Sequence, residues 1–142
     1  MKISIGSDHA GFSLKTTLAA WLRAQGHDVC DRGTESEASV DYPDFAKAVA
    51  GDVATGKSRY GVLVCSSGIG ISIAANKVRG IRAALCHNED AALYSRLHND
   101  ANILCFGQKY TTPYTAERCL ELFLKTEFEA GRHARRVGKI EC

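Results

Sequence analysis

Several features that would narrow the class of protein are missing from this sequence of 142 residues. No apolar run approaches the roughly 18 residues that cross a bilayer, and the first six residues read as a strand rather than a secretory signal. We therefore expect a cytoplasmic protein with no membrane partner. Internal repeats and low-complexity stretches are also missing, and the length suits one hydrophobic core, so we expect residues 1–142 to form a single domain.

Cysteine is plentiful, but the spacing of the cysteines excludes two kinds of site. Six cysteines occur and no pair has C-x-x-C spacing, which argues against a zinc knuckle and against a thioredoxin-type motif. Cys30, Cys86 and Cys105 lie in apolar runs typical of buried strands, where reduced cysteine is a common core residue. Free thiols indicate a reducing compartment. We expect neither a metal site nor a cofactor.

The sequence also lacks a large excess of charge of one sign. The chain carries 18 basic and 16 acidic residues, a formal charge of +2, which argues against a general nucleic-acid binder. The basic residues nevertheless cluster near the C-terminus, at Arg132, Arg135, Arg136 and Lys139. A local basic cluster on a nearly neutral chain fits a small anion better than a long polyanion.

Strand and helix patterns alternate along the chain. The predicted strands are 2–6, 27–31, 60–65, 81–86 and 101–106, and the predicted helices are 12–25, a helix capped by Asp41, 71–77, 90–97 and 113–128. This alternation predicts an α/β fold, a Rossmann-like doubly wound three-layer sandwich with a five-stranded parallel sheet and a helical C-terminal tail. Because ligands bind beyond the carboxyl ends of such strands, chemistry is expected in the segments that follow them.

The strongest local signal is the segment Cys65–Gly70, which joins the third strand to a helix. A helix N-terminus presents unpaired N–H groups and a partial positive charge, which favour the thiolate of a nearby cysteine. Cys65 is thus placed to act as a base, and the same N–H groups could stabilise an oxyanion. The alternative is that Cys65 is one more buried strand cysteine and that the glycines only shape a turn.

Two further segments allow both a structural and a functional interpretation. After the first strand, Asp8 and His9 either belong to a helix cap or hold sugar hydroxyls or a phosphate. His98 lies between a helix and a strand, where it is either part of a C-terminal turn or a residue that transfers a proton near neutral pH.

The basic tail is either a solvated segment or a phosphate clamp, since guanidinium groups match phosphate oxygens and Arg132 and Arg136 share one face of a helix. A cysteine base, a neutral histidine, an oxyanion pocket and a phosphate clamp together suit proton transfer beside a carbonyl. Such a transfer through an enediolate interconverts an aldose and a ketose.

Six segments of the chain resemble the type B ribose-5-phosphate isomerases, a family that includes galactose-6-phosphate isomerase subunits and members acting on allose 6-phosphate. The segments are Gly6-Ser7-Asp8-His9-Ala10-Gly11, Asp41-Tyr42-Pro43, Cys65 through Lys77, Gly80-Ile81-Arg82-Ala83-Ala84, His98-Asn99-Asp100-Ala101-Asn102 and Gly131-Arg132-His133. The resemblance implies an isomerase that interconverts ribose 5-phosphate and ribulose 5-phosphate in the pentose phosphate pathway.

The resemblance also implies roles for particular residues. Cys65 matches the base, His98 the residue that assists ring opening, Asp8 a contact of the ring oxygen, and Ser67 a hydroxyl that is often a threonine. The other implied substrate contacts are His9, Ser66, Gly68, Ile69, Gly70, Asn99, Lys109, Arg132 and Arg136. Lys109 stands where arginine is common, which keeps the charge and loses the bidentate fork. The family forms dimers, sometimes tetramers, with sites built from two chains, so a homodimer or tetramer is implied.

Three rival functions compete with this interpretation. A low-molecular-weight phosphotyrosine phosphatase needs a C-x5-R loop, and the sixth residue after Cys65 is Ile71. A non-catalytic module could bind a sugar phosphate as a sensor and would not need Cys65. Within the family, the substrate could be a six-carbon sugar phosphate, which pocket volume decides.

Overall fold

Five strands and six α-helices alternate in residues 1–141, which are the residues that the computed structural model describes. The strands are β1 (Lys2–Ser7), β2 (Asp28–Asp31), β3 (Tyr60–Cys65), β4 (Ala83–Leu85) and β5 (Ile103–Gly107). The helices are α1 (Phe12–Ala24), α2 (Tyr42–Ala54), α3 (Ile69–Asn76), α4 (Glu89–Leu97), α5 (Pro113–Lys125) and α6 (Arg132–Val137). The predicted alternation is confirmed, and α6 forms the helical tail.

All five strands are parallel, in the order β2-β1-β3-β5-β4. The chain leaves β1 towards one side of the sheet to form β2 and returns to the other side to form β3. The strand order therefore reverses between β1 and β3, and the segments that follow these two strands diverge and leave a crevice. The fold itself directs a ligand to the residues after β1 and β3.

Helices cover both faces of the sheet and create two hydrophobic cores. On one face α1, α4 and α5 pack around Leu18, Phe106 and Phe123, and on the other face α2 and α3 pack around Val49 and Ile71. Every residue of β3 and β5 is buried, which explains why their sequences are continuous apolar runs. No helix within residues 1–141 combines the length and the apolar content needed to span a bilayer.

Two elements are shorter than predicted because side chains satisfy the backbone at their ends. The predicted strand 81–86 narrows to β4, since the amide of Asn102 accepts from the N–H of Arg82 (2.8 Å) and donates to the carbonyl of Gly80 (2.8 Å). The predicted helix 113–128 stops at Lys125 because Thr126 turns into an extended conformation, where its carbonyl accepts from Arg96 Nε at 3.2 Å. In contrast, α3 begins two residues earlier than predicted.

The edge strand β4 is paired on its open side by one side chain. Asn76, the last residue of α3, donates to the carbonyl of Ala83 at 2.9 Å and accepts from the N–H of the same residue at 2.7 Å. Its amide thereby makes both hydrogen bonds that a neighbouring strand would make to this residue.

A side-chain cap is observed at the start of α4 but not at the start of α2. Asn88 caps α4 by accepting from the N–H of Ala91 at 2.8 Å. Asp41 occupies the position before α2 but its side chain makes no capping hydrogen bond, so that prediction was wrong. Pro43 in the first turn of α2, with its fixed φ, supports the helix start instead.

Candidate functional site: two half-sites at opposite edges of the sheet

Polar residues gather where β1, β3 and β5 end. Cys65 pairs with Gly107 in the sheet register, and the next residues of the β5 segment bond to the cysteine loop. Gln108 donates its N–H to the carbonyl of Cys65 (2.9 Å), and Lys109 donates its N–H to the carbonyl of Ser66 (3.1 Å). We call this group the carboxyl-edge half-site, which comprises Asp8, His9, Cys65, Ser66, Ser67, Gly68, Ile69, Gly70 and Lys109.

The sulfur of Cys65 lies at the N-terminus of α3. Cys65 ends β3 with 4% of its surface exposed, and its Sγ accepts a hydrogen bond from the N–H of Gly68 at 3.1 Å. Gly68 has a φ of 77°, a left-handed conformation that turns its N–H back towards the sulfur. Ser67 Oγ accepts from the N–H of Ile69 at 3.2 Å, so donors of the first turn face the same loop. This arrangement stabilises negative charge on the sulfur and on atoms beside it.

The other buried cysteines are surrounded differently. Burial raises the pKa of Cys86 to about 12 and that of Cys119 to about 11, and it raises the pKa of the fully buried Cys105 well above its usual value. Cys86 and Cys105 are thus core thiols, as predicted. Cys30 is only half buried, contrary to prediction, because β2 is an edge strand.

Asp8 and His9 meet the Cys65 loop from β1. The carboxylate of Asp8 is buried and its Oδ1 accepts from the N–H of Gly11 at 3.0 Å, so the capping role considered from the sequence is observed. Nδ1 of His9 accepts from the N–H of Val40 at 3.2 Å. In the neutral ring the proton then resides on Nε2, which makes Nε2 a donor suited to a hydroxyl or an anion.

Two positions of this half-site require glycine because another part of the chain packs too closely for a side chain. A Cβ on Gly11 would lie 2.5 Å from the carbonyl oxygen of Val64, so only glycine lets the turn after β1 approach β3. A Cβ on Gly70 would lie 2.6 Å from the ring of Tyr42, whose side chain covers the start of α3. Tyr42 was not predicted as a site residue, although the Asp41-Tyr42-Pro43 motif was available as a signal.

The second group lies at the opposite edge of the sheet, where α4 ends and β5 begins. His98 and Asn99 follow α4, and together with His133 and Arg136 of α6 they line a cavity of about 420 Å³. Burial, then the charge of His98, lower the pKa of His133, and the charges of Arg132 and Arg136 act in the same direction. We call His98, Asn99, Arg132 and Arg136, with His133, the amino-edge half-site.

An ionic network fixes the turn that carries His98 and Asn99. The carboxylate of Asp100 accepts from Arg96 at 2.8 Å and from Arg82 at 3.1 Å, and Asp100 itself has a φ of 47°. The guanidinium of Arg96 is buried and lies over the rings of Tyr60 and Phe123. The network holds the end of α4 against β5 and limits the movement of His98.

His98, Glu129 and His133 form a compact group that the sequence reasoning missed. Their potential ligand atoms lie within 4.8 Å of one another. The two imidazoles, however, are stacked, with planes 12° apart and centroids separated by 4.1 Å. Ring nitrogens bind a metal along lone pairs in the ring plane, and two stacked planes do not converge on one ion. The geometry is that of a ring stack.

Within one chain the two half-sites are far apart. Strand β3 advances four residues from Gly61, which pairs with the first residue of β5, to Cys65. At about 3.3 Å per residue, this distance is roughly 13 Å. His98 lies beyond the amino edge of β5 and Cys65 at the carboxyl edge of β3. Within one chain, the two residues are therefore separated by roughly the length of this strand.

Fold and site together define a doubly wound α/β protein with a cysteine at a helix N-terminus and a basic cluster on its last helix. The ribose/galactose isomerase family profile matches residues 3–140, and this chain belongs to that family. It is 45% identical over 139 residues to ribose-5-phosphate isomerase B of Escherichia coli, covering 98% of this chain and 93% of the relative.

Solved structures agree with the family assignment. A ribose-5-phosphate isomerase B from Clostridium thermocellum is 52% identical, with a TM-score of 0.97 over 99% of this chain and 95% of that one. A ribose 5-phosphate isomerase from Thermotoga maritima is 47% identical, with a TM-score of 0.97 over 99% of this chain and 97% of that one. The fold and family expected from the sequence are confirmed.

Proposed function

We propose that this protein interconverts ribose 5-phosphate and ribulose 5-phosphate, with Cys65 as the base. Its family contains ribose and galactose isomerases, and the relatives described above, at 45–52% identity, carry the name of the ribose 5-phosphate enzyme. The observation that carries the catalytic part of the proposal is the hydrogen bond from the N–H of Gly68 to Sγ of Cys65.

In the proposed reaction, the thiolate of Cys65 removes a proton from the carbon next to the carbonyl. Negative charge then develops on the enediolate oxygen, where N–H groups at the start of α3 and the hydroxyl of Ser67 stabilise it. The protonated Cys65 returns the proton to the neighbouring carbon, while a proton passes from the hydroxyl oxygen of that pair of carbons to the former carbonyl oxygen, which converts the aldose to the ketose or the reverse. Asp8 is proposed to contact the ring oxygen and hydroxyls of the sugar.

His98 is proposed to assist ring opening by moving a proton between the ring oxygen and the anomeric hydroxyl. His9, Arg132 and Arg136 are proposed phosphate contacts, since the first offers an Nε2 donor and the others offer guanidinium forks. Lys109 is proposed as a further cation beside the loop. The remaining proposed substrate contacts are Ser66, Gly68, Ile69, Gly70 and Asn99.

Because the two half-sites lie at opposite edges of the sheet, we propose a homodimer whose sites are shared between chains. Ile69 and Ile73 are four residues apart on α3, with 53% and 56% of their surfaces exposed, and half-exposed Tyr42 lies beside them. A second copy packed antiparallel across this apolar surface would bring its amino-edge half-site to the carboxyl-edge half-site of the first. The free buried thiols support a reducing, cytoplasmic setting.

Replacing Cys65 by alanine tests the catalytic proposal. We expect Cys65→Ala to lower turnover of ribose 5-phosphate by at least about a thousandfold, because the base is lost. Calorimetric binding of the phosphosugar should persist. Cys30→Ala is the matched control, since Cys30 lies in β2 outside both half-sites, and it should keep parental turnover. Near-normal turnover by Cys65→Ala would contradict the role of this residue.

The family description favours one second candidate, an isomerase of a six-carbon sugar phosphate. Parallel assays on ribose 5-phosphate, allose 6-phosphate and galactose 6-phosphate separate the two. The proposal requires the highest kcat/KM for ribose 5-phosphate. Binding of all three without turnover would instead identify a sensor module.

A further inference from the structure

The ring of His133 is the most unusual group near the amino-edge half-site. Only 6% of its surface is exposed, and its Nε2 is a buried polar atom for which residues 1–141 provide no hydrogen-bond partner. Leaving such an atom unsatisfied costs on the order of 1–3 kcal/mol. A leucine would fill the same space without that cost, but it would present no flat ring face to a neighbouring side chain.

The face of the His133 ring packs against another ring, although its Nε2 has no hydrogen-bond partner within residues 1–141. His98 stacks on it with 4.1 Å between the ring centroids and 12° between the planes. Tyr94 also contacts His98, but with a tilt of 47°, so it does not define the plane of the His98 ring. His98 is partly exposed and its one ionic neighbour within residues 1–141, Glu129, is 3.7 Å from Nε2, so the stack on His133 is the closer of its two ring contacts.

We infer that His133 is a positioning residue that holds the His98 ring in the plane required for proton transfer during opening and closing of the sugar ring. This inference rests on the proposed function, in which His98 carries out that step. Proton transfer depends on alignment as well as distance, so a loosened His98 would slow ring opening while leaving the chemistry of Cys65 intact.

The charges around the stack are compatible with this role. Burial and the surrounding charges of His98, Arg132 and Arg136 lower the pKa of His133, and the carboxylate of Glu129 opposes them. Near neutral pH His133 is therefore an uncharged platform that does not repel a His98 ring carrying a proton.

The chemistry of the substrates allows the two steps to be separated. Ribulose 5-phosphate has no free hydroxyl at C5 and remains open-chain, so exchange of its C1 proton with solvent needs only the base. Conversion to ribose 5-phosphate also passes through ring closure. Two rates are therefore compared in D₂O: the incorporation of deuterium into ribulose 5-phosphate and the formation of ribose 5-phosphate. The ratio of the first rate to the second reports on His98 and on the positioning of its ring by His133.

Three variants of His133 test the inference by proton NMR. His133→Leu and His133→Gln lack a flat ring, and we expect each to raise the exchange-to-conversion ratio at least about fivefold, with kcat reduced more than KM is changed. His133→Phe keeps a flat face and should stay within about twofold of the parent ratio. His27→Leu is the control, a histidine beside the N-terminus and outside both half-sites, and should leave the ratio unchanged.

Failure of the inference about His133 can be distinguished from failure of the proposed function. Cys65→Ala should lose exchange and conversion together, and if it retains both, the proposed function fails rather than this inference. An unchanged ratio in whichever ring-less variant folds, judged by thermal unfolding, would overturn the role of His133. The same conclusion follows if His133→Phe behaves like His133→Leu.

Discussion

Gly68 is the residue on which the geometry of the Cys65 loop depends most directly. It combines a left-handed φ of 77° with the N–H that bonds to the sulfur. A Cβ at this position would lie 2.4 Å from Cδ1 of Leu85 and 2.8 Å from the backbone carbon of Phe106. Leu85 could rotate away, but the backbone of β5 could not, so the loop has no space for any other residue.

We predict that Gly68→Ala is destabilising and inactive, whereas Gly56→Ala is only mildly destabilising. Gly56 has a nearly equal φ of 75°, and a Cβ added there would meet no atom within 4 Å, so it carries only the conformational cost, about 1–2 kcal/mol. Gly68→Ala adds overpacking of about 1–3 kcal/mol. Urea unfolding of both variants measures the difference, and equal losses of stability would show that the loop can adapt.

At the scale of elements, the join between α2 and the sheet depends on one buried carboxylate. Asp52 of α2 accepts hydrogen bonds from Arg32 at 2.6 and 2.5 Å and from Ser4 of β1 at 2.6 Å. The bond from Arg32 is the largest cause that lowers the pKa of Asp52 from 3.8 to about 2, and burial opposes it. The ionised form is therefore favoured in the folded state.

This pKa predicts how stability depends on acidity. Because the folded pKa lies below the unfolded one, Asp52 stabilises the fold above about pH 4, and the contribution is lost as pH falls from about 4 to about 2. We expect Asp52→Asn to lose about 2 kcal/mol at pH 7 and much less at pH 2.5. Glu121→Gln changes a partly exposed carboxylate on α5; it is the control and should change stability far less at both pH values. Urea unfolding across this pH range measures the effect, and a pH-independent loss would contradict it.

For the whole molecule, we propose that the separation of the half-sites makes activity a property of two chains. If each site takes Cys65 from one chain and His98 from the other, a mixed dimer of Cys65→Ala with His98→Asn contains one intact site and one doubly altered site. We predict that such dimers, purified through two different tags, recover about half of the parental turnover.

The control for this recovery of turnover is a mixed dimer in which both altered residues belong to the same half-site. A mixed dimer of Cys65→Ala with Ser67→Ala has no intact site, because both changes lie in the carboxyl-edge half-site, and it should stay at the level of its parents. If Cys65→Ala with His98→Asn also fails to recover, the site is complete within one chain or requires a different pairing.

Much of the fold follows from local sequence, because burial on both faces gives β3 a continuous apolar run and the alternation of elements predicts a parallel sheet. The predicted bounds of an element were wrong where a side chain makes the hydrogen bonds that a backbone partner would otherwise make, as Asn102 does beside β4. The location of His98 at the opposite edge from Cys65 could also have been deduced, since a residue that follows a helix lies at the amino edge. The His98–His133 stack could not, because it arises from the tertiary approach of α6, although the Gly131-Arg132-His133 motif marked the segment.

The amide of Asn76 that pairs with Ala83 has a consequence for how the molecule behaves at high concentration. An unpaired edge strand is a template on which other chains add strands and begin to aggregate. Here one side chain of α3 occupies the N–H and the carbonyl through which such an addition would begin. At Ala83 the edge of the sheet is therefore closed by a helix side chain, and a strand added at this residue would have to displace Asn76.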